Sequence, residues 1–597
     1  ISCSHFALWG KVRETPSFGP FGLCHCEIMR FFALASDYDG TLAHHAKVDA
    51  DTVAAIRRFK ESGRKFILVT GREMHELLEI FPEANLCDRI VAENGALLYN
   101  PATREERILA KRPPSRYVDY LKAHGVQPLS VGKVIIATFE PYEAIALQGI
   151  HELGLELQII FNKGSVMVLP TGVNKATGLT AALADMGLSH HNVVGVGDAE
   201  NDHAFMDLCE RSVAVGNALP ILKEKADWVT RAAQGAGVTE LINEVLADDL
   251  RELEASLPPC GVILGTLPDN EEFRLPGSGI NILIAGSSGA GKSTLVTSFL
   301  ERLVEKKYQT CIIDPEGDYP ELEGFLAMGT GNRPPSLTEV VAALEKPGEN
   351  VVVNLIGLRL EDRPGFFLKL FPHLHELRAR TGRPHWIVID ESHHVLPSQW
   401  HPSPLMVPLD LKNVVLVTVE PDHVAHSVVL SVDLMVAVGD SPQITVENFC
   451  RTANLEAPFV APSRLEKGKA IGWWRARDKV FTFQNIPPRA ERRRHIRKYS
   501  QGELPPDQSF YFEGPQKKFH LRAQNLQLFL QMAAGLDDDT WLHHLRNHDY
   551  SRWFEKQLKD EELAAATARI ENDETLDGAA SRKRIREEIE QRYTAPA

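Results

Sequence analysis

Twice along this 597-residue chain, short apolar runs of strand length end on glycine or polar residues, with helix-forming stretches between them. The first series runs from 31 to about 245 and contains FFALASD, KFILVTG, VMVLPTG and NVVGVGD, with helical stretches such as 51–62 and 174–186. The second runs from about 261 to 488 and contains NILIAGSS, QTCIIDPEGD, NVVVNLIG, HWIVIDE, NVVLVTVE and LMVAVGD. Such alternation predicts parallel sheets covered by helices, with the functional groups gathered at the carboxyl ends of the strands. At about 150 residues per domain the length suits roughly four units. The expected division is 29–245, a linker at 246–260 ending in Pro258-Pro259, a second α/β unit at 261–488, a basic linker at 489–508 and a mainly helical module at 509–597. The fold class is therefore α/β and multidomain.

Asp and Glu outnumber Lys and Arg by 80 to 65, a net charge of −15, which disfavours a surface devoted to nucleic acid or anionic membrane. The eight cysteines lie at 3, 24, 26, 87, 209, 260, 311 and 450 with no CxxC spacing, so neither a disulfide framework nor a zinc site is indicated. No uncharged apolar run reaches 18 residues, so no membrane span is expected and the default compartment is the cytoplasm. Residues 1–28 are poorly periodic, and Met29 opens the first apolar run. They are read as non-native upstream sequence from a misplaced start, with a signal peptide as the weaker reading.

The first run ends in Asp37-Tyr38-Asp39-Gly40-Thr41. Two carboxylates at i and i+2 beyond a strand can reach one phosphoryl group, one as nucleophile and the other as proton donor and acceptor. KFILVT ends in Thr70-Gly71-Arg72, which offers a hydroxyl and a backbone N–H to phosphate oxygens. Lys175 opens a helix after Asn174, where an ammonium can neutralise a transferring group. VVGVG ends in Asp198, followed by Asn201 and Asp202, a cluster suited to Mg2+.

These four motifs in this order, with AENGALLY at 92–99 and VAVGNALPILKEKADWVT at 213–230, resemble the haloacid dehalogenase (HAD) superfamily, Cof-type subclass IIB. The resemblance implies a Rossmann-like core with an inserted α+β cap at about 84–168. It implies that Asp37 attacks phosphorus to form an aspartyl-phosphate and that Asp39 protonates the leaving oxygen, then activates water. Thr70, Gly71, Lys175 and Asn201 would hold phosphate oxygens. Asp37, Asp39 (through its carbonyl), Asp198 and Asp202 would hold Mg2+. The expected substrate is a small phosphorylated metabolite, a sugar-phosphate-like monoester.

The strand NILIAG runs into Gly286-Ser287-Ser288-Gly289-Ala290-Gly291-Lys292-Ser293-Thr294 and then a helix. GxxxxGK[ST] between a strand and a helix wraps backbone N–H groups around nucleotide phosphates. Lys292 would reach the β and γ phosphates and Ser293 would ligate Mg2+. HWIVID supplies Asp390 as a metal partner and Glu391 to polarise the attacking water of ATP hydrolysis. With IIDPEGDY and VIDESHHVLP, these residues resemble the HerA/FtsK group of P-loop ATPases, and 465–488 looks like the strand pair that closes that core. The resemblance implies ATP binding and, on its own, a hexamer. Where that group places Gln after the sensor Thr, this chain has Thr418-Val419-Glu420. Arg451, Arg464 and Arg475 are candidate fingers, each with a plain surface role as the simpler reading.

The only dense basic run, 491–498, admits a nucleic-acid contact, but a solvated linker helix is the preferred reading. Trp541, Leu542, Leu545, Trp553 and Phe554 fall at helical spacing and are read as core, and no carboxylate or cysteine pattern joins His543, His544 and His548 into a metal site. The favoured function is a Mg2+-dependent phosphatase fused to an ATP-binding P-loop domain of regulatory or mechanical role. The alternative is a DNA translocase with an accessory HAD domain.

Overall fold

The computed structural model describes residues 29–254, 256–257, 261–319, 322–399, 412–461, 464–466, 468–489, 504, 506, 508–515, 520–558, 560–573 and 575–593. The readings of 1–28 and of the basic run 491–498 lie outside the described residues.

An eight-stranded sheet forms the first body. Its order is Trp228–Val229, Arg211–Ala214, Val193–Gly197, Ala33–Ser36, Lys65–Val69, Arg89–Ala92, Leu97–Asn100 and Glu105–Ile108. The first six strands are parallel and the last two antiparallel. The central strands are apolar on both faces because helices cover both, and Phe31, Ala33, Leu34, Phe66, Ile67 and Val194 are essentially inaccessible. A separate antiparallel sheet, ordered Ser130–Val131, Ile136–Phe139, Ser165–Pro170 and Leu157–Asn162, carries two helices, Ser115–Ala123 and Glu143–Glu152.

The expected cap boundary at 84 is corrected. Arg89–Ala92 pairs with Ile67–Val69, so 89–108 extends the core sheet and the inserted elements begin at Ser115. The burial of Ile90, Val91 and Ala92 accounts for this register. The linker boundary moves as well. Helix Gln234–Asp248 ends on Asp249 in the left-handed conformation, and Leu250, Asp249 and Glu254 pack or pair with the first body.

The second body is an eleven-stranded sheet. Seven parallel strands run in the order Leu434–Val438, Ile282–Ala285, Val414–Thr418, Trp386–Ile389, Thr310–Asp314, Asn350–Asn354 and Phe325–Met328. The antiparallel pair Lys469–Trp474 and Lys479–Asn485 continues the sheet beyond Leu434–Val438. A hairpin of Phe510–Phe512 and Leu521–Ala523 and five helices between Leu526 and Tyr593 make the third body, packed on Phe529, Trp541, Tyr550 and Phe554. Among the described residues, no helix is long and apolar enough to cross a membrane.

The first two bodies meet through the amino-terminal ends of their strands. His191, just before Val193, stacks on Tyr308, just before Thr310, at 3.6 Å and 10°. His191 Nε2 donates to the Lys306 carbonyl at 2.6 Å, and Arg383 donates to the Gly187 carbonyl at 2.8 Å. Gly382 sits so close to Asn192 that a Cβ would lie 2.3 Å from its amide nitrogen. Both sets of strand carboxyl ends, with the motifs they carry, therefore face away from this junction.

Candidate active sites

Parallel neighbours bring the first set of motifs together. Ala33–Ser36 lies between Val193–Gly197 and Lys65–Val69, so Asp37, Asp198 and Thr70 emerge side by side. The Asp37 amide donates to the Val196 carbonyl at 3.0 Å. Gly40 has φ +87°, and a Cβ there would meet Asp198 Oδ2 at 2.4 Å, which explains the glycine of the DxDGT turn. Asn174 caps helix Lys175–Met186 in a capping box with Thr177, fixing Lys175 at its first position.

Lys175 is buried and bridges two carboxylates, at 2.5 Å from Asp37 Oδ1 and 2.6 Å from Asp202 Oδ1. Asp202 Oδ2 accepts from the amides of Asp198 and Ala199, each at 2.9 Å. Asp198 accepts from Thr41 at 3.1 Å and from the ammonium of Lys163. One oxygen each from Asp37, Asp198 and Asp202 can lie within 4.8 Å of one another. Burial, then the charge of Asp202, pushes the Asp37 carboxyl up to about 8 against the pull of Lys175. Burial raises Asp198 too, opposed by Lys163. Burial disfavours the Lys175 charge, but Asp202 and Asp37 outweigh it and hold that ammonium above the ordinary lysine value. Hard oxygens crowded at the cost of their own ionisation fit a divalent cation such as Mg2+.

Four residues of this site carried no assigned role in the sequence. Arg72 grips both oxygens of Asp39, Nε at 2.6 Å and Nη2 at 2.8 Å. Glu93 accepts from the amides of Lys133, Val134 and Ile135 at 2.9, 2.7 and 2.9 Å, fastening the inserted sheet to the core. Asn94 receives Asn201 Nδ2 on its Oδ1 at 3.2 Å, and the Asn94 Nδ2 and Asn201 Oδ1 atoms are buried with no partner. Lys163 is the fourth. Arg72, Glu93 and Asn94 were visible in TGR and AENG, whereas Lys163 had no motif. Of the expected phosphate-binding residues, Thr70 is buried, and the space over Gly71 abuts Met167 of the inserted sheet and Asn201.

At the second site, Gly286, Gly289 and Gly291 have φ of +155°, +79° and +101°, and a Cβ on Gly286 would lie 2.2 Å from the Val438 carbonyl. Ser287, Ser288 and Ala290 complete the loop, and helix Lys292–Glu305 begins with Lys292, Ser293 and Thr294. Lys292 Nζ donates to the Gly286 and Ser287 carbonyls at 2.8 and 3.2 Å. Asp390 ends Trp386–Ile389, and burial, then Glu391 and Asp318, pushes its carboxyl up to about 7. Asp314 accepts from the amides of Gly317, Asp318 and Tyr319, and burial, then Asp318, pushes it up to about 7. Val414–Thr418 separates the P-loop strand from the Asp390 strand. Thr418 Oγ1 lies 3.3 Å from His393 Nδ1, which also lies 3.5 Å from Glu391. His393 thus stands beside the sensor strand that lacks Gln. Arg464 pairs with Asp440 at 2.9 Å, and Arg451 is exposed beside Asn448. Arg475 binds the Leu430 and Val432 carbonyls before the start of Leu434–Val438, at the end of the sheet away from the P-loop.

Residues 34–146 and 151–242 match the family of haloacid dehalogenase-like hydrolases, and residues 281–369 match the central domain of the helicase HerA. The phosphoglycolate phosphatase of Methanothermobacter thermautotrophicus is 29% identical over 224 residues, 36% of this chain and 98% of that protein. Phosphoglycolate phosphatase 2 of Saccharolobus solfataricus is 30% identical over 221 residues, 36% of this chain and 92% of that protein. A solved haloacid dehalogenase-like hydrolase from Bacteroides thetaiotaomicron is 17% identical, covering 36% of this chain and all of its own, with a TM-score of 0.32.

Proposed function

The chain belongs to the haloacid dehalogenase-like hydrolases and is a phosphoric monoester hydrolase fused to a HerA-like module, and we propose that it is a Mg2+-dependent phosphatase of small phosphomonoesters such as phosphoglycolate or a sugar phosphate. The observation that carries this reading is Lys175 joined to both Asp37 and Asp202, with Asp39 two residues beyond Asp37.

In this reading Asp37 attacks phosphorus in line and the leaving alkoxide takes its proton from Asp39. Asp39, held by Arg72, then removes a proton from the water that hydrolyses the aspartyl-phosphate. Lys175 neutralises a phosphoryl oxygen, and Thr70 and the Gly71 amide accommodate the others. The Asn94 amide, which faces Asn201, adds a buried donor. Asp37, Asp198, Asp202 and the Asp39 carbonyl would hold Mg2+, which offsets carboxylate repulsion and draws charge from the transferring group.

The P-loop module is read as an ATPase of regulatory or mechanical role, with Lys292 on the phosphates, Ser293 and Asp390 toward Mg2+, and Glu391 toward water. A second reading, a DNA translocase with an accessory phosphatase, draws on the HerA match. The net charge of −15 and Val419 in place of Gln weigh against it. Phosphate release from phosphoglycolate, sugar phosphates and ATP, with and without duplex DNA, tests both. Wild type should cleave monoesters, Asp37→Asn should not, and DNA should leave the rate unchanged. Cleavage of ATP alone, accelerated by DNA and lost only in Lys292→Ala, would make the protein a motor.

A further inference from the structure

Lys163 sits at the tip of the hairpin joining Leu157–Asn162 to Ser165–Pro170, in the inserted sheet. The turn has only two central residues, Lys163 and Gly164, with φ of +47° and +83°. Such a turn favours Asn-Gly or Gly-Gly, and a long-chain residue adopts the left-handed region at a cost. Here that conformation carries an ammonium across from the inserted sheet to Asp198 of the core. Among the described residues, Lys163 is the only cation of the inserted elements paired with a carboxylate of the first site.

The other carboxylates already have partners. Asp39 is held at two points by Arg72, and Asp202 by Lys175 and two backbone amides. Asp37 is held by Lys175, and Asp37, Asp198 and Asp202 can each bring one oxygen within 4.8 Å of the others, as a metal would require. With Asp198 given over to a metal, Lys163 has no site carboxylate left to it. Its side chain is 46% exposed, and Met167 of the same inserted sheet lies over Gly71. Both residues come from the inserted sheet and border the site that holds Asp37, so on the phosphatase reading they are at hand for the leaving alcohol.

We propose that Lys163 is the specificity-determining residue of this site, selecting phosphomonoesters whose leaving alcohol carries a second anionic group such as a carboxylate. The inference rests on the phosphatase reading. It asks Lys163 to take no part in the bond changes: phosphorus moves from the alkoxide to Asp37 and then to water, while the ammonium binds only the far anion.

The test uses the full chain, as wild type, Lys163→Met and Lys163→Arg, with phosphoglycolate and ethyl phosphate as substrates. Lys163→Met should lower kcat/KM for phosphoglycolate by about 10- to 100-fold, the loss expected for one charge-assisted contact, and for ethyl phosphate by less than about 3-fold. Lys163→Arg should restore much of the difference. Calorimetry should show the Met variant losing affinity for 3-phosphonopropionate but not for propylphosphonate. Equal losses with both substrates and both phosphonates would overturn the inference and assign Lys163 to Asp198 or to docking of the inserted sheet. A wild type indifferent to the carboxylate overturns it alone, whereas a wild type that cleaves neither monoester overturns the phosphatase reading with it.

Discussion

Arg72 and Asp39 are 33 residues apart, yet the guanidinium holds both carboxylate oxygens, at 2.6 and 2.8 Å. A two-point pair of this kind fixes the plane of the carboxylate and leaves the outer lone pairs for a proton. On the proposed reading, in which Asp39 moves the proton, Arg72 is a positioning residue. Arg72→Met should lower kcat by about 10- to 100-fold with KM within about threefold, because the interaction matters when the leaving oxygen gains its proton. Arg72→Lys, a point charge without the fork, should recover only part. Steady-state kinetics on a single monoester decides this, and an unchanged kcat in Arg72→Met would remove Arg72 from the mechanism.

What was legible in the chain and what was not divides along sequence distance. Asp37, Asp39, Lys175 and Asp198 announce themselves because each lies at a strand or helix end with a local pattern. The partner of Arg72 depends on Ala33–Ser36 lying beside Lys65–Val69, which no local pattern encodes. Lys163 is further hidden, since a Lys-Gly hairpin tip reads as an ordinary exposed turn. The cap boundary was misplaced because Leu97–Asn100 and Glu105–Ile108 form a hairpin as any insert would, and only their pairing onto Arg89–Ala92 joins them to the core. The junction of the two bodies uses His191, Tyr308 and Arg383, none of which belongs to a motif.

Magnesium should stabilise the first body measurably. A ligand at one hundred times its Kd adds about 2.7 kcal/mol, or about 5–10 °C for a body of this size. Thermal unfolding in EDTA and in Mg2+ should differ by that amount in wild type and hardly at all in Asp198→Asn, which keeps the shape but removes a charge from the cluster. A full Mg2+ response in Asp198→Asn would place the metal elsewhere.

Glu210 predicts a pH dependence. Burial disfavours its charge, yet His191, Arg30 and Tyr308 outweigh that and pull the carboxyl down to about 2. A depressed folded-state value adds stability that is complete above the ordinary Glu range near 4.5 and fades as pH falls toward 2. Its size is on the order of 3 kcal/mol. Glu210→Gln should therefore unfold at lower temperature than wild type at pH 7, and the gap should narrow steadily below pH 4.5. A gap that stays constant from pH 7 to pH 3 would exclude Glu210 as its source.

The two sites should work independently at the level of ligands, because their helices run toward the junction from opposite sides. Helix Lys175–Met186, of 12 residues, leads from the first site to the Gly187 carbonyl that accepts from Arg383. Helix Lys292–Glu305, of 14 residues, leads from the P-loop to the Lys306 carbonyl that accepts from His191. At 1.5 Å per residue these are about 18 and 21 Å long, too far for one substrate to touch both sites. Lys292→Ala should therefore abolish stabilisation by ATP while leaving phosphate release from a monoester, measured without ATP, within about twofold of wild type. Tyr308→Ala, which removes the ring stacked on His191, should leave ATP stabilisation in place but lower the midpoint of the first body. A Lys292→Ala variant that loses monoester hydrolysis in the absence of ATP would show that the P-loop itself supports the phosphatase site, and the separation argued from the two helices would fail.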